Sequence, residues 1–262
     1  MSGRIALNAL VSALLALMVL PILAVVPASF SRSSFIALPP ASWSLRWYET
    51  FFAQPEWLAT LANSGKVAAL AMAIALVAGT MMALGMERLP PALRRLALTL
   101  ALAPMIVPVI VITVALYFVA RQLGLVGTTI GLALGHALLC LPFVVLNVGV
   151  SLRGMDPALL RAAEGLGASP TRAFRTVTLP LIAPGLVGGA VFAFITSFDE
   201  VVISIFLAGV TTKTLPVKIW EVIRLEYTPI VAVAASVMIG LTVLLFLGAR
   251  LSTRGGGPTM AR

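Results

Sequence analysis

The chain has 262 residues, of which 60% are hydrophobic and only 10% are charged. A soluble domain of this size could not keep so much apolar surface away from water, so the composition indicates an integral membrane protein. The net charge of +9 does not indicate a nucleic-acid partner, because the basic residues lie between long apolar runs, where membrane lipid headgroups and the positive-inside bias favour them. The single cysteine, Cys140, excludes an intrachain disulfide and a cluster held by several thiolates.

Six apolar runs are each long enough to cross a bilayer as a helix. A hydrocarbon core requires roughly 20 apolar residues of helix, and the six runs cover residues 5–27, 63–86, 96–120, 128–151, 183–208 and 229–251. We therefore expect an all-α membrane protein whose residues 1–262 form a single transmembrane domain. The first run also has features of a signal peptide cleaved after Ala28, but its apolar core exceeds the ~7–15 residues of such signals, which favours an uncleaved helix.

Two predicted outer segments, residues 28–62 and 209–228, are rich in aromatic residues. The first contains Trp43, Trp47, Tyr48 and Trp57, and the second contains Trp220 and Tyr227. The apolar residues of 42–61 are compatible with a helix in the membrane interface that breaks or restarts at Pro55. Both an interfacial anchor and a surface that docks an external partner fit this pattern.

Basic residues are distributed unequally between the two sides of a protein with six crossings. With the N-terminus in the cytoplasm, eleven lie in cytoplasmic segments and six lie on the opposite side. The cytoplasmic set is Arg4, Arg88, Arg94, Arg95, Arg153, Arg161, Arg172, Arg175, Arg250, Arg254 and Arg262. The positive-inside rule therefore predicts that both termini face the cytoplasm.

Polar side chains within the predicted spans are candidates for a translocation pathway. Asp199 and Glu200 fall just past the middle of the fifth run, and Lys66 lies in the outer part of the second, beside Asn63. An acid inside a membrane costs roughly 2.5–3.5 kcal/mol on insertion scales, so such groups face a cavity, a partner or each other. Two interpretations stay open, namely a structural ion pair with Lys66 and direct contact with cargo. The pathway candidates are Asp199, Glu200, Phe198, Ser197, Lys66 and Asn63.

The lone histidine, His136, lies in the fourth run. We predict that it is a hydrogen-bonded packing residue rather than a proton relay, because a lone histidine in an apolar helix more often has that role.

The segment 153–180, between the fourth and fifth runs, begins with signals for a short helix. Asp156 is a good N-cap, and Pro157 suits the first helical position because its missing N–H is not needed there. A helix is therefore predicted over 158–166. Its apolar face would consist of Leu159, Leu160, Ala163 and Leu166.

The same segment continues with signals for a bend and a second helix. Gly167 can adopt the left-handed conformation that ends a helix. Ser169 and Pro170 repeat the cap-then-proline order, which predicts a second helix over 171–178. Pro180 is predicted to close the element.

This segment resembles the Glu-Ala-Ala loop of binding-protein-dependent transport permeases. The resemblance lies in Ala162-Ala163, in Gly167 four residues after Ala163, and in Val177-Thr-Leu-Pro180 ten residues after Gly167. In that family the loop supplies a coupling helix that sits in a cleft of the ATPase subunit and transmits nucleotide-driven closure to the membrane helices. The resemblance assigns ATPase docking to Asp156, Leu160, Arg161, Ala162, Ala163, Glu164, Gly167, Ser169 and Pro180.

One residue departs from the family pattern. Arg161 stands where the family has its glutamate, and Glu164 follows three residues later. This departure puts a particular salt bridge to the ATPase in doubt, but it leaves the docking assignment in place.

The resemblance covers nearly the whole chain, and 45–48, 63–64 and 197–204 are similar to the spermidine/putrescine permease branch. It implies a type I ABC importer in a bacterial inner membrane. The implied partners are two ATP-binding subunits, a second, non-identical permease and an external solute-binding protein. An acid beside Phe194 and Phe198 suits a polyamine through charge and cation–π attraction, although permeases for other small solutes such as aminoethylphosphonate are similar.

Three other function classes fit the sequence less well. The chain has no Gly-x-x-x-x-Gly-Lys-[Ser/Thr] loop, so we expect no cofactor, no enzyme activity and ATP bound only by partner subunits. An ion-coupled secondary transporter would suit the intramembrane acids but not the short chain or the capped helix pair. An intramembrane enzyme lacks a nucleophile-base or metal set, and a structural scaffold does not explain two acids in the middle of a helix.

Overall fold

The computed structural model describes residues 2–36, 38–225 and 228–254, which are almost entirely helical. The helices are α1 (Ser2–Ser29), α2 (Arg46–Ala53), α3 (Pro55–Met86), α4 (Pro91–Ile106), α5 (Val109–Gln122), α6 (Thr129–Arg153), α7 (Pro157–Gly165), α8 (Pro170–Ala173), α9 (Leu179–Phe198), α10 (Val202–Leu207), α11 (Leu215–Leu225) and α12 (Ile230–Arg254). Within the described residues, five helical stretches are long and apolar enough to span a membrane, and α4 with α5 makes a sixth if that bent pair counts as one span. The all-α prediction is confirmed.

The prediction of one continuous helix over 96–120 is wrong. The chain breaks at Val107 and Pro108, and the axes of α4 and α5 differ in direction by 100°. Val107 is extended, with φ −73° and ψ 133°, because the ring of a following proline disfavours the helical conformation. The apolar composition of the run correctly indicated a membrane segment, but Pro108 divides this segment into two helices.

The predicted limits of the fifth helix, 183–208, are also wrong. Helical structure runs unbroken from Pro170 through a π turn at Phe174–Thr178 into α9 and stops at Phe198. The prediction that Pro180 closes the preceding element is therefore wrong as well. Pro180 lies in the first turn of α9. The π turn just before it changes the hydrogen-bond ladder where the proline lacks an N–H.

The structure divides into two compact units, and the first comprises Met1–Thr60 and Lys218–Val243. In this unit α2 ends at Ala53, Gln54 is extended, and α3 begins at Pro55, which confirms the predicted restart. The ring of Trp57 packs 5.4 Å from that of Phe51, and Lys218 forms an ion pair with Glu56. Tyr227 of the predicted outer aromatic group lies outside the described residues, and the single-domain assignment of 1–262 stays a prediction.

The second unit, Leu61–Val217 with Leu244–Arg262, has its core between α6 and α9. Glycines bring these two helices close together. A Cβ atom added to Gly189 would lie 3.1 Å from Val144 Cα, and one added to Gly185 would lie 2.6 Å from the Asn147 carbonyl oxygen. Such close approach of small residues is the usual way in which helices associate in membranes, where no hydrophobic effect drives them together.

Candidate functional site

The predicted docking segment, 153–180, contains the first predicted helix as α7, but its second predicted helix is the start of the long helical stretch Pro170–Phe198. Asp156 Oδ1 accepts a hydrogen bond from Ala158 N at 2.8 Å and caps α7. Ser169 Oγ accepts from Arg172 N at 3.4 Å and caps α8. Both capping assignments made from the sequence are therefore confirmed, and the two caps satisfy amides that helix starts leave without partners.

Gly167 produces the bend between these helices. Its φ is +83°, a value that side-chain-bearing residues rarely adopt. Ala168 N donates to the Ala163 carbonyl at 3.0 Å, and Gly167 N donates to the Glu164 carbonyl at 2.9 Å. These two bonds form a Schellman motif, which ends α7 and turns the chain toward α8.

The apolar stripe of α7 divides between an inward and an outward face. Leu160 and Ala163 are half-buried, whereas Leu159 is 47% exposed and Leu166, just after the helix, is 89% exposed. Arg161 and Ala162 are also exposed. None of the residues of α7 is fully buried, so this short helix presents much of its surface, two leucines included, to a possible partner.

A cleft of about 350 Å³ lies behind α7, lined by its Leu160 and Glu164 together with parts of α3, α6 and the π turn. Glu87 and Arg88, at the end of α3, line the same cleft. Glu87 also forms a surface ion pair with Arg94. The cleft is therefore lined by both apolar and charged residues, and it lies at the end of the unit where α3 and α6 finish.

A second cluster of predicted residues surrounds a break in the chain between α9 and α10. Asp199 follows the last residue of α9, and α10 starts at Val202. Asp199 is exposed, whereas the side chain of Glu200 is only 7% exposed. The two acids lie outside regular helix, rather than inside one long helix as predicted.

Glu200 has defined backbone partners. Its Oε1 accepts from Val202 N at 2.9 Å, and its Oε2 accepts from Ser204 N at 3.2 Å. No ion pair joins Lys66 to Asp199 or Glu200 in the described part of the chain, so the structure does not contain the ion pair that was one of the two predicted alternatives. Lys66 is exposed in α3.

Asn63 anchors the loop that follows α10. Its Nδ2 donates to the carbonyl oxygens of Thr211 at 2.9 Å and Lys213 at 3.1 Å. The neighbouring Ser64 Oγ accepts from Leu215 N at 2.8 Å. These contacts give Asn63 a structural role in holding the loop after α10 against the start of α3.

His136 and Ser197 form a buried polar contact beside the break. His136 Nδ1 lies 2.8 Å from Ser197 Oγ, and His136 Nε2 lies 3.0 Å from Ser204 Oγ. The prediction that His136 is a hydrogen-bonded packing residue is confirmed. Ser204 was not among the predicted site residues. The signal that could have found it is the order of the sequence, in which Ser197 and Ser204 stand on either side of the two acids.

Two aromatic rings precede the acids. Phe198 is buried, Phe194 is half-buried, and their rings stack with centroids 5.6 Å apart and planes 20° apart. The cluster thus combines a carboxylate, an aromatic pair and hydroxyl groups at the end of α9. Such a set can bind an organic cation.

Sequence comparison identifies the class of protein. The family described as "Binding-protein-dependent transport system inner membrane component" matches residues 75–255, which is more than half of the chain. The chain therefore belongs to this family of membrane subunits of ABC importers, which lack an ATPase domain. This membership favours the ATP-driven importer over the secondary transporter, the enzyme and the scaffold.

Individual relatives differ in cargo. The chain is 30% identical over 247 residues to the spermidine/putrescine transport system permease protein PotC of Haemophilus influenzae, covering 94% of this chain and 96% of the relative. It is also 30% identical over 238 residues to the molybdenum transport system permease protein ModB of Mycobacterium bovis, covering 82% and 89%.

A solved structure has the same fold. A chain of a bacterial alginate ABC transporter, in complex with an alginate pentasaccharide-bound periplasmic protein, matches with a TM-score of 0.71 and 15% identity over 96% of each chain. The fold is that of a type I ABC importer permease. As a member of this family, the chain works with ATPase subunits and a solute-binding protein.

Proposed function

We propose that this permease imports polyamines, with spermidine and putrescine as cargo. In this proposal it pairs with a second, non-identical permease and two ATP-binding subunits in a bacterial inner membrane, with both termini in the cytoplasm. The nearly full-length similarity to PotC supports the cargo, and the excess of arginine in the segments assigned to the cytoplasm supports the orientation.

The observation that carries the cargo proposal is the exposed carboxylate of Asp199 at the end of α9. A polyamine is an alkyl chain with several ammonium groups, so it needs negative charge and apolar surface at alternating positions. Asp199 supplies the charge, and the half-buried Phe194, whose ring stacks on the buried Phe198, supplies aromatic surface near the end of α9. A cation over an aromatic face gains about 0.5–2 kcal/mol, which adds to attraction by the carboxylate.

We assign ATPase docking to the outward face of α7 and the bend that follows it. The exposed leucines Leu159 and Leu166 flank Arg161 and Ala162 on that surface. Burial of apolar side chains stabilises an interface by roughly 25 cal/mol per Å², so two leucines can contribute much of the docking energy. The exposed Arg161 would face the ATPase where the family pattern has an acid.

The test is ATP-dependent uptake of labelled spermidine and putrescine by proteoliposomes that contain this subunit and its co-encoded partners. We expect saturable uptake that disappears when the partner ATPase is inactivated. Asp199→Asn should raise KM at least about tenfold, because a close charge pair in a partly desolvated site is worth roughly 1.4 kcal/mol or more. Glu49→Gln, which neutralises an exposed acid in α2, serves as the matched control and should leave KM unchanged.

Two outcomes would contradict this proposal in different ways. An assembled complex that hydrolyses ATP but takes up no polyamine would refute the cargo. Molybdenum would then be the next cargo to test, since the identity to the molybdenum permease ModB is also 30%. Equal KM values for Asp199→Asn and the unaltered protein would refute the role of the carboxylate while leaving the cargo in place.

A further inference from the structure

One buried histidine bridges the break between α9 and α10. His136 projects from α6 and is only 1% exposed. Its two ring nitrogens reach Ser197, in the last turn of α9, and Ser204, in α10. Because a serine hydroxyl both donates and accepts, either neutral tautomer of the imidazole satisfies both contacts. The ring therefore fixes the ends of both helices relative to α6.

The Glu200 carboxylate holds the same break from within. The amides of Val202 and Ser204, in the first turn of α10, have no preceding helical turn that could accept their hydrogen bonds. Both donate to Glu200 instead. One carboxylate oxygen, Oε2, also lies 3.6 Å from His136 Nε2, so the capping carboxylate and the bridging imidazole meet at Ser204.

These contacts control the surroundings of Asp199. If α9 continued through the break, the Val202 amide would bond to the Phe198 carbonyl, and the next helical turn would place Val202 and Ile203 beside Asp199. Those apolar side chains would cover the carboxylate. The break removes that turn and leaves Asp199 exposed.

We infer that His136, Glu200, Ser197 and Ser204 are positioning residues that keep the chain broken after Asp199, so that Asp199 contacts the cargo and Glu200 does not. The assignment of cargo contact to Asp199 rests on the proposed function. The geometry of the break does not depend on which solute is transported. The two parts can therefore be tested separately.

The first test measures the exposure of position 199 without any cargo. Cys140 is the single cysteine and is buried, so a Cys140→Ala background removes the native thiol. In the assembled importer, Asp199→Cys should react readily with a membrane-impermeant thiol reagent. Adding Ser204→Ala or Glu200→Gln should slow labelling by up to about fivefold, because loss of one hydrogen bond shifts the equilibrium between the broken and the continuous chain by about that factor.

The control for this test removes a buried hydroxyl elsewhere in the same unit. Thr113 in α5 is fully buried and donates to the Val109 carbonyl of its own helix. Thr113→Val keeps the side-chain shape and should leave labelling at position 199 unchanged. Unchanged labelling in both Ser204→Ala and Glu200→Gln would overturn the inference.

The second test asks whether the positioning residues act through Asp199. Ser204→Ala alone should lower uptake of a transported cation roughly fivefold. In an Asp199→Asn background it should cause no further loss, because residues that act through one group are not additive. Additive losses would show that the serine acts independently and would also overturn the inference. If no polyamine is transported, the proposed function fails. The labelling test alone then decides whether the four positioning residues hold the break.

Discussion

The bend at Gly167 depends on backbone conformation alone, which makes it a clean site for perturbation. Its φ is +83°, and a Cβ atom added there would have no other atom within 4 Å. The Cβ atom of a substituted residue therefore meets no other atom of this chain. Any effect must come from the cost of holding a β-branched residue at positive φ, or from contact with a partner subunit.

Gly165 supplies a matched control two residues earlier. A Cβ atom there would also meet nothing within 4 Å, but Gly165 lies in α7 and has no positive φ. Gly167→Val should cost about 1–2 kcal/mol, because left-handed conformation is unfavourable for residues with a side chain. Gly165→Val should stabilise α7 by a few tenths of a kcal/mol, since valine has the higher helix propensity.

The assay is uptake per ATP hydrolysed in proteoliposomes, with membrane insertion checked by yield. A cost of 1–2 kcal/mol lowers the ratio of bent to unbent loop roughly 5–30-fold, and we expect uptake by Gly167→Val to fall by up to that factor. Gly165→Val should stay within about twofold of the unaltered protein. Normal uptake by Gly167→Val would refute the role of the bend, and equal losses in both variants would assign the effect to added bulk at the partner surface.

Two further predictions concern helix packing and the loop that follows α10. Gly185→Val should abolish the folded subunit, because the added atoms would overlap Asn147; Gly240→Val, which meets nothing within 4 Å, should give a normal yield after solubilisation. Asn63→Ala removes two hydrogen bonds to the loop that follows α10 and should speed tryptic cleavage after Lys213 severalfold. Asn147→Ala, whose amide donates only to its own helix, should not change that cleavage rate.

The sequence predicted those elements whose causes are local. The caps at Asp156 and Ser169 and the positive φ of Gly167 follow from the conformational preferences of single residues. The restart of the helix at Pro55 has the same origin. Each of these features could therefore be placed to within one or two residues.

The failures share a different cause. Hydropathy reports how apolar a run is, but not whether its backbone continues in one direction. The two helices on either side of Pro108 were therefore predicted as one helix. The break after Phe198 depends on a carboxylate that caps amides further along the chain and on a histidine from another helix. The supposed partner of the acids, Lys66, was chosen by charge alone, because the sequence contains no distances.

The corrected course of the chain explains how the docking segment and the break could communicate. The helical stretch Pro170–Phe198 contains 29 residues, which at 1.5 Å per residue is about 43 Å long, enough to cross a membrane. One end follows the bend at Gly167, and the other ends immediately before Asp199. A displacement of α7 by an ATPase would therefore be carried along one continuous helix to the break, where the contacts of His136 and Glu200 hold the chain on the far side. The π turn at Phe174–Thr178 is the point at which this helix departs from regular geometry, so the displacement reaches Asp199 only if this turn moves as a rigid part of the helix.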